Sequence, residues 1–255
     1  MLLAVDIGNT NVTIGVFKNE EFRATWRIAT DVNRMPDEYG MYLINLLHHQ
    51  DLQPSDITEI ALCSTVPPLT PIFVEMSQHY FNITPLVVGA GVKTGVRIRM
   101  DNPREVGPDR IANAAAAHHL YGGPVIVVDL GTATTFDVVS KEGDYTGGAI
   151  ATGIGTAAEA LFRRTAALPR VELVRPKHAI GTNTISAMQS GIIFGYVGLV
   201  EGMISRINEE LGEEAMVIAT GGYAELIANE TKAINVVNRD ITLIGLRLIY
   251  LLNKS

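Results

Sequence analysis

The chain has 255 residues, 47% of them hydrophobic, with a single cysteine and a net charge of −7. That length holds one large domain or two medium ones with true cores; the lone Cys63 excludes an internal disulfide and any cysteine-cluster metal site, and the negative balance leaves no overall basic field for nucleic acid or an anionic membrane. No basic stretch precedes Asp6 and no apolar run reaches the roughly 18 residues of a spanning helix, which predicts a cytoplasmic protein without secretion signal or membrane span.

In chain order, residues 1–17 predict an apolar strand, a glycine turn D-I-G-N-T-N and a second strand. A third strand follows over 21–28, and a helix over 36–50 that opens with Pro-Asp-Glu. A strand at 57–62, a helix at 69–80 behind the Pro67-Pro68 breaker, and a strand at 84–88 come next. Cys63, beside Ala61 and Leu62, reads as a buried strand residue and not a nucleophile. Residues 89–107 form the longest irregular connection and a functional-loop candidate. A helix then starts at Pro108-Asp109 and runs through Ala114–Ala117.

From Pro124 the opening pattern returns: P-V-I-V-V-D-L-G-T-A-T-T-F-D aligns on Asp129 as the first hairpin does on Asp6. A strand over 145–150, helices over 153–164 and 185–211, and a strand over 216–219 ending in Thr220-Gly221-Gly222 follow. The helix at 241–252 is apolar nearly all round and predicted to be buried. Strands alternating with helices, with one motif used twice, predict two α/β domains, 1–115 and 116–255.

Each repeated turn places an Asp at the end of a buried strand and a glycine, Gly8 or Gly131, where the backbone can approach a phosphate. Asn9, Thr10, Asn11, Thr132, Thr134 and Thr135 are small enough to add hydrogen bonds, and the aspartates can face a metal or monovalent cation. A single D-x-G turn is as readily an Asp capping its own backbone; two in matched strand contexts point to a ligand. The third glycine-bearing strand end, Thr220–Gly222, suits a nucleoside. This order resembles the superfamily of sugar and acetate kinases, heat-shock chaperones and actin, which implies duplicated actin-like (ribonuclease H-like) α/β domains with a nucleotide cleft between them.

Within that superfamily D-I-G-N-T-N, D-N-P-R-E-V-G-P-D-R-I-A-N at 101–113 and D-L-G-T-A-T-T-F-D at 129–137 resemble type III pantothenate kinase, with supporting likeness at Ser64–Pro67, Gly147–Ile150, Gly181–Thr184 and Leu243–Leu246. The resemblance implies transfer of the γ-phosphoryl of ATP to pantothenate, the first step toward coenzyme A. It implies that Asp6, Ile7, Gly8, Asn9, Thr10, Asn11, Val12 and Thr13 hold the ATP phosphates, with Asp6 near Mg2+, and that Thr132 contacts ATP. It further implies that Asp129 ligates a monovalent cation, K+ or NH4+, and that Met100, Gly107, Pro108, Asp109, Arg110 and Thr184 line the pantothenate site. Asp109 would accept the proton, and the chain would be a homodimer with an apolar surface on its 185–211 helix. A non-catalytic regulator resembling the Bvg accessory factor, or a kinase of this fold with another acceptor, are the alternatives.

At a helix start, Asp109 is expected to be held ionised by the dipole and free N–H groups, with its pKa below the usual 3.9 or so. A loose phosphoryl-transfer transition state asks for orientation more than basicity. Arg110 suits a carboxylate partner or a surface salt bridge; Asp129 and Asp137 suit either a ligand or a structural role. His48-His49 and His118-His119 diverge on helices and are not metal pairs. Lys93, Arg97, Arg99 and Arg104 make the long loop locally basic. Two departures from the family pattern stand out: Met100 replaces a Tyr, which removes a phenolic hydrogen bond, and Thr152 replaces a Pro, which predicts a looser backbone there.

Overall fold

The computed structural model describes residues 1–254, and they divide into two compact units. The first comprises Met1–Val96, Asp101–Ala116 and the segment from Ile241; the second comprises Arg97–Met100 and Ala117–Asp240.

In the first unit β1 (Leu2–Ile7), β2 (Asn11–Lys18) and β3 (Glu21–Ala29) form an antiparallel meander. β4 (Glu59–Ser64) adds parallel to β1, and β5 (Leu86–Val87) parallel to β4, for the order β3-β2-β1-β4-β5. Alternation along the strands sends Leu3, Val5, Ile7, Val12 and Ile14 to one face, against Tyr39, Leu43 and Leu47 of α1 (Pro36–His48) and Phe73 and Met76 of α2 (Leu69–Phe81). The α1 start is secured by Glu38, whose carboxylate accepts the Met35 N–H at 2.9 Å. Asp6 is on the opposite face with Leu2 and Ala4.

Two more helices belong to this unit: α3 (Pro108–Tyr121), through Ala116, and α7 (Ile241–Asn253). α7 packs on the sheet carrying β1, β2 and β4. Gly245 lets it meet α3 so closely that a Cβ there would stand 2.0 Å from the Ala112 carbonyl oxygen. Thr242 Oγ1 donates to Asn113 Oδ1 at 2.7 Å across the same contact. The division expected at 115/116 is therefore corrected for the last helix, which leaves the 116–255 half for the first unit. Five of the 13 residues of α7, Ile241, Leu243, Gly245, Leu246 and Ile249, are buried, and Leu251 and Leu252 are half exposed, so the expected all-round burial holds for one side only.

The second unit repeats the first. β7 (Val125–Leu130), β8 (Ala133–Val139) and β9 (Asp144–Thr152) are the antiparallel meander; β10 (Met216–Thr220) and β11 (Val236–Val237) extend it in parallel beyond β7. The order β9-β8-β7-β10-β11 matches β3-β2-β1-β4-β5, with β6 (Arg97–Ile98) added beyond β9. Ile126, Val128, Leu130 and Phe136 pack against Ile192, Ile193, Val197 and Val200 of α5 (Thr184–Leu211), together with α4 (Ile154–Arg164) and α6 (Ala224–Ala228). β6, α6 and β11 are two to five residues long, too short for a periodic pattern to mark them.

α5 corrects one premise of the membrane expectation, that no segment is long and apolar enough to span. Its 28 residues are long and apolar enough, by length and composition, to cross a bilayer. Its buried side chains instead fill the core on β7 and β10, as those of a core helix do.

Candidate active site

The first glycine turn is held from three sides. Gly8 N–H donates to the Asn11 carbonyl at 3.0 Å, Thr30 Oγ1 donates to the Gly8 carbonyl at 2.6 Å, and Thr65 N–H donates to the Ile7 carbonyl at 2.9 Å. The Gly8 N–H is thus spent inside the turn. Ile7 and Val12 point into the core, so they can offer a ligand only their backbone. Asn9, Thr10 and Asn11 are exposed, and Thr13 is half-buried.

Asp6 ends β1 directly opposite Cys63 in the parallel ladder, and Cys63 Sγ donates to Asp6 Oδ1 at 3.3 Å. Part of Asp6 reaches solvent, yet its carboxyl is packed among protein atoms. Burial first, and the charge of Asp109 second, push this carboxyl up to about 7, against the pull of the Cys63 thiol and Arg27. Burial and the same two carboxylates push the Cys63 thiol up. The β1 and α3 segments therefore bring Asp6 and Asp109 within electrostatic reach of each other inside one unit.

Asp109 occupies the first turn of α3, where the N–H groups of Arg110 and of Asp109 itself donate to its carboxylate. The expected depression of its pKa is corrected: burial outweighs these donors and the Arg110 charge, and the carboxyl is raised. Its Oδ1 is buried with no hydrogen-bond partner in the protein. A Cβ at Gly107 would lie 2.4 Å from that oxygen, so the glycine makes room for it. Pro108 and Arg110 are half-buried beside it.

In the second unit the turn after Asp129 is one residue shorter. Gly131 N–H donates to the Ala133 carbonyl at 3.0 Å, and Leu130 pairs with Thr134 where Ile7 pairs with Val12. Two glycines close on it. Gly221, at φ 91°, would place a Cβ 2.5 Å from Asp129 Oδ1, and Gly153 would place one 2.3 Å from the Thr132 carbonyl oxygen. That carbonyl also accepts Thr156 Oγ1 at 2.8 Å, while the Thr132 side chain is exposed. Thr184 is exposed at the start of α5, next to the N-cap Asn183, whose side chain accepts the Ser186 N–H at 2.9 Å.

Met100 is half-buried, with its sulfur 3.4 Å from where a Gly147 Cβ would stand. The backbone at Thr152 is not loose: its carbonyl accepts Tyr196 OH at 2.6 Å, and it pairs with Ala133. Arg97 and Arg99 are both engaged by Asp144, with nitrogen–oxygen distances of 2.7–3.0 Å, so half of the basic cluster in the long loop is spent on structure. Asp137 is a core residue; Tyr145 OH donates to it at 2.7 Å and Thr135 Oγ1 at 3.1 Å. His118 Nε2 lies 3.1 Å from the Lys141 carbonyl oxygen.

Among the described residues no three His, Cys, Asp or Glu side chains converge as a ready metal centre. The donor set fits a cation that arrives with its substrate. Magnesium is held by one or two carboxylates plus phosphate oxygens, and two mutually repelling carboxylates, Asp6 and Asp109, gain from a positive charge nearby.

Comparison with known proteins bears on this geometry. A family model described as type III pantothenate kinase matches residues 2–206. A type III pantothenate kinase of Dehalococcoides mccartyi (strain CBDB1) is 56% identical, over 99% of this chain and 96% of the relative. One from Moorella thermoacetica is 53% identical over 98% of each. Among solved structures, a protein described as a Baf family transcriptional activator from Campylobacter jejuni has a TM-score of 0.62 at 18% identity, covering 98% of both chains. The activator of a 2-hydroxyisocaproyl-CoA dehydratase from Clostridium difficile scores 0.57 at 12% identity, covering 99% of this chain and 94% of that one. The last two carry a shared fold.

Proposed function

The chain belongs to the type III pantothenate kinase family, and from that membership we propose how its residues move the γ-phosphoryl group of ATP to the hydroxyl of pantothenate, the opening step of coenzyme A synthesis. The single observation that carries the assignment is the buried, unpartnered Oδ1 of Asp109. A buried polar atom without a partner is costly, and it persists where a ligand supplies the partner. Here that ligand is the pantothenate hydroxyl. Its oxygen forms the new bond to the γ-phosphorus, the bond from that phosphorus to the β,γ-bridging oxygen breaks, ADP leaves, and the hydroxyl proton passes to Asp109 Oδ1. A carboxyl raised by burial accepts that proton more readily than one depressed by a helix dipole.

Asp6 faces the magnesium that accompanies ATP, which supplies charge neutralisation on the phosphates. The turn from Asp6 to Thr13 holds the phosphates through the Asn9, Thr10, Asn11 and Thr13 side chains and through backbone at Ile7 and Val12. In the second unit Asp129 ligates K+ or NH4+, and Thr132 contacts ATP. Met100, Gly107, Pro108, Arg110 and Thr184 contact pantothenate, with Arg110 suited to its carboxylate. The active form is a cytoplasmic homodimer; Ile185 on α5, and Ile180 just before it, are exposed apolar residues suited to a subunit contact.

The test is pantothenate-dependent ADP release by the wild type and by Asp109→Asn. Turnover should fall by about 10²-fold or more, the usual scale for a positioned acid–base group, while nucleotide still binds. Near-native turnover in the variant would remove Asp109 from the mechanism.

A further inference from the structure

Cys63 has no part in these assignments, yet it is one of the two residues in register with Asp6, the other being Thr13 on β2. It is 0% exposed, and the parallel pairing of β1 with β4 sets it directly opposite that aspartate, on the same face of the sheet. The 3.3 Å separation of Sγ from Asp6 Oδ1 is within reach of a thiol donor. The second sheet repeats the arrangement: the residue opposite Asp129 is Thr220, 3% exposed and also a small side chain with a donor. Ala4 and Ala61, the preceding pair on that face in the first sheet, are apolar and have no such group. Both sheets thus set a small, buried residue with a donor opposite the turn aspartate on the parallel neighbour.

We infer that Cys63 is a positioning residue for Asp6: its thiol holds Oδ1 in place and leaves the other carboxylate oxygen to the magnesium–nucleotide. This rests on the reading of Asp6 as the carboxylate that faces the metal. A terminal carboxylate torsion is broad, so the thiol contact narrows the orientations open to Asp6, and metal-bearing nucleotide selects only some of them. The thiol is bulky enough to pack against the alanines and is a donor weak enough not to satisfy the carboxylate by itself.

The experiment compares Cys63→Ala, Cys63→Val and Cys63→Ser with wild type in calorimetric binding of a nonhydrolysable ATP analogue, with magnesium and with the metal chelated. Val keeps the volume without a donor; Ser keeps a donor. Ala and Val should weaken magnesium–nucleotide binding by about five- to tenfold, within the range of a hydrogen bond to a charged group. They should leave metal-free nucleotide binding unchanged, and Ser should stay within about twofold of wild type. The KM for magnesium–ATP should rise in parallel while that for pantothenate holds. Wild-type affinity in both Ala and Val, or a Ser variant as weak as Val, overturns the inference, because the donor would then be irrelevant. Asp6→Asn separates the two levels of argument. If it loses the magnesium dependence of binding while the Cys63 variants keep it, only the role of Cys63 falls; if it binds as wild type does, the reading of Asp6 falls with it.

Discussion

At Asp109 two ordinary effects oppose each other. A helix start supplies N–H donors and a favourable dipole for a carboxylate, worth about 0.3–1 kcal/mol at an exposed site, whereas burial disfavours the charge. Burial wins here, because α3 carries the residue inward and only Gly107 leaves room for its oxygen. Asp6 shows the same balance more strongly, and its consequence is a pH dependence of stability. Its folded pKa, about 7, lies above the ordinary 3.8, so the folded chain binds this proton more tightly than the unfolded chain. Stability from this group is therefore full at low pH and declines as pH rises from about 4 to about 7. In nucleotide-free protein Asp6→Asn should abolish that decline. It should be more stable than wild type at pH 8 by up to about 4 kcal/mol, the linkage limit of such a shift, with the difference shrinking toward pH 4. Urea unfolding at the two pH values measures it; a wild-type stability that tracks the variant across the range would refute the shift.

The elements show how little of a site comes from the element that bears it. The hairpin β1–β2 and the hairpin β7–β8 were legible because an apolar strand, an Asp and a glycine are local signals. Their difference of one residue in the turn is local hairpin register, whereas the parallel neighbours β4 and β10 that set Cys63 and Thr220 against the aspartates depend on pairings between segments far apart in sequence. α7 is the clearest case. Its apolar character was readable, but not which sheet it would cover. Gly245 at the α3 contact has no room for a side chain, since the nearest atom to a Cβ is backbone. Gly245→Ala should cost roughly 1–3 kcal/mol or more, as overpacking does, read as a lower melting temperature. An unchanged melting temperature would mean that the two helices separate easily. Gly221 has both a left-handed backbone and the Asp129 carboxylate against it. Gly221→Ala should displace both that carboxylate and the Leu130 backbone, whose carbonyl carbon and oxygen would lie 2.6 and 2.7 Å from the added Cβ, and equalise the rates in K+ and Na+.

Across the whole molecule one strand order is used twice, and the two copies have diverged in what surrounds each aspartate. Asp6 stands within reach of Asp109 and accepts from a thiol, whereas Asp129 has Gly131 and Gly221 close against its carboxylate and Thr220 opposite it in the sheet. Replacing K+ by Na+ should lower the rate of phosphoryl transfer in the wild type; equal rates in the two salts would leave Asp129 structural. The net charge of −7 gives no general attraction for ATP, so its phosphates must be met by local donors. The amino-acid sequence by itself determined the repeat, the strands other than β6 and β11, the long helices, and the residues of both glycine turns, because strand alternation, apolar faces and glycine turns are properties of neighbouring residues. Only the tertiary structure decided that α7 joins the first unit, that the buried side of α5 packs in the core, that Arg97 and Arg99 are spent on Asp144, that the Asp109 carboxyl is raised, and that Asp6 accepts from Cys63. Desolvation and side-chain partnership arise from what distant segments pack together, and no local pattern carries that.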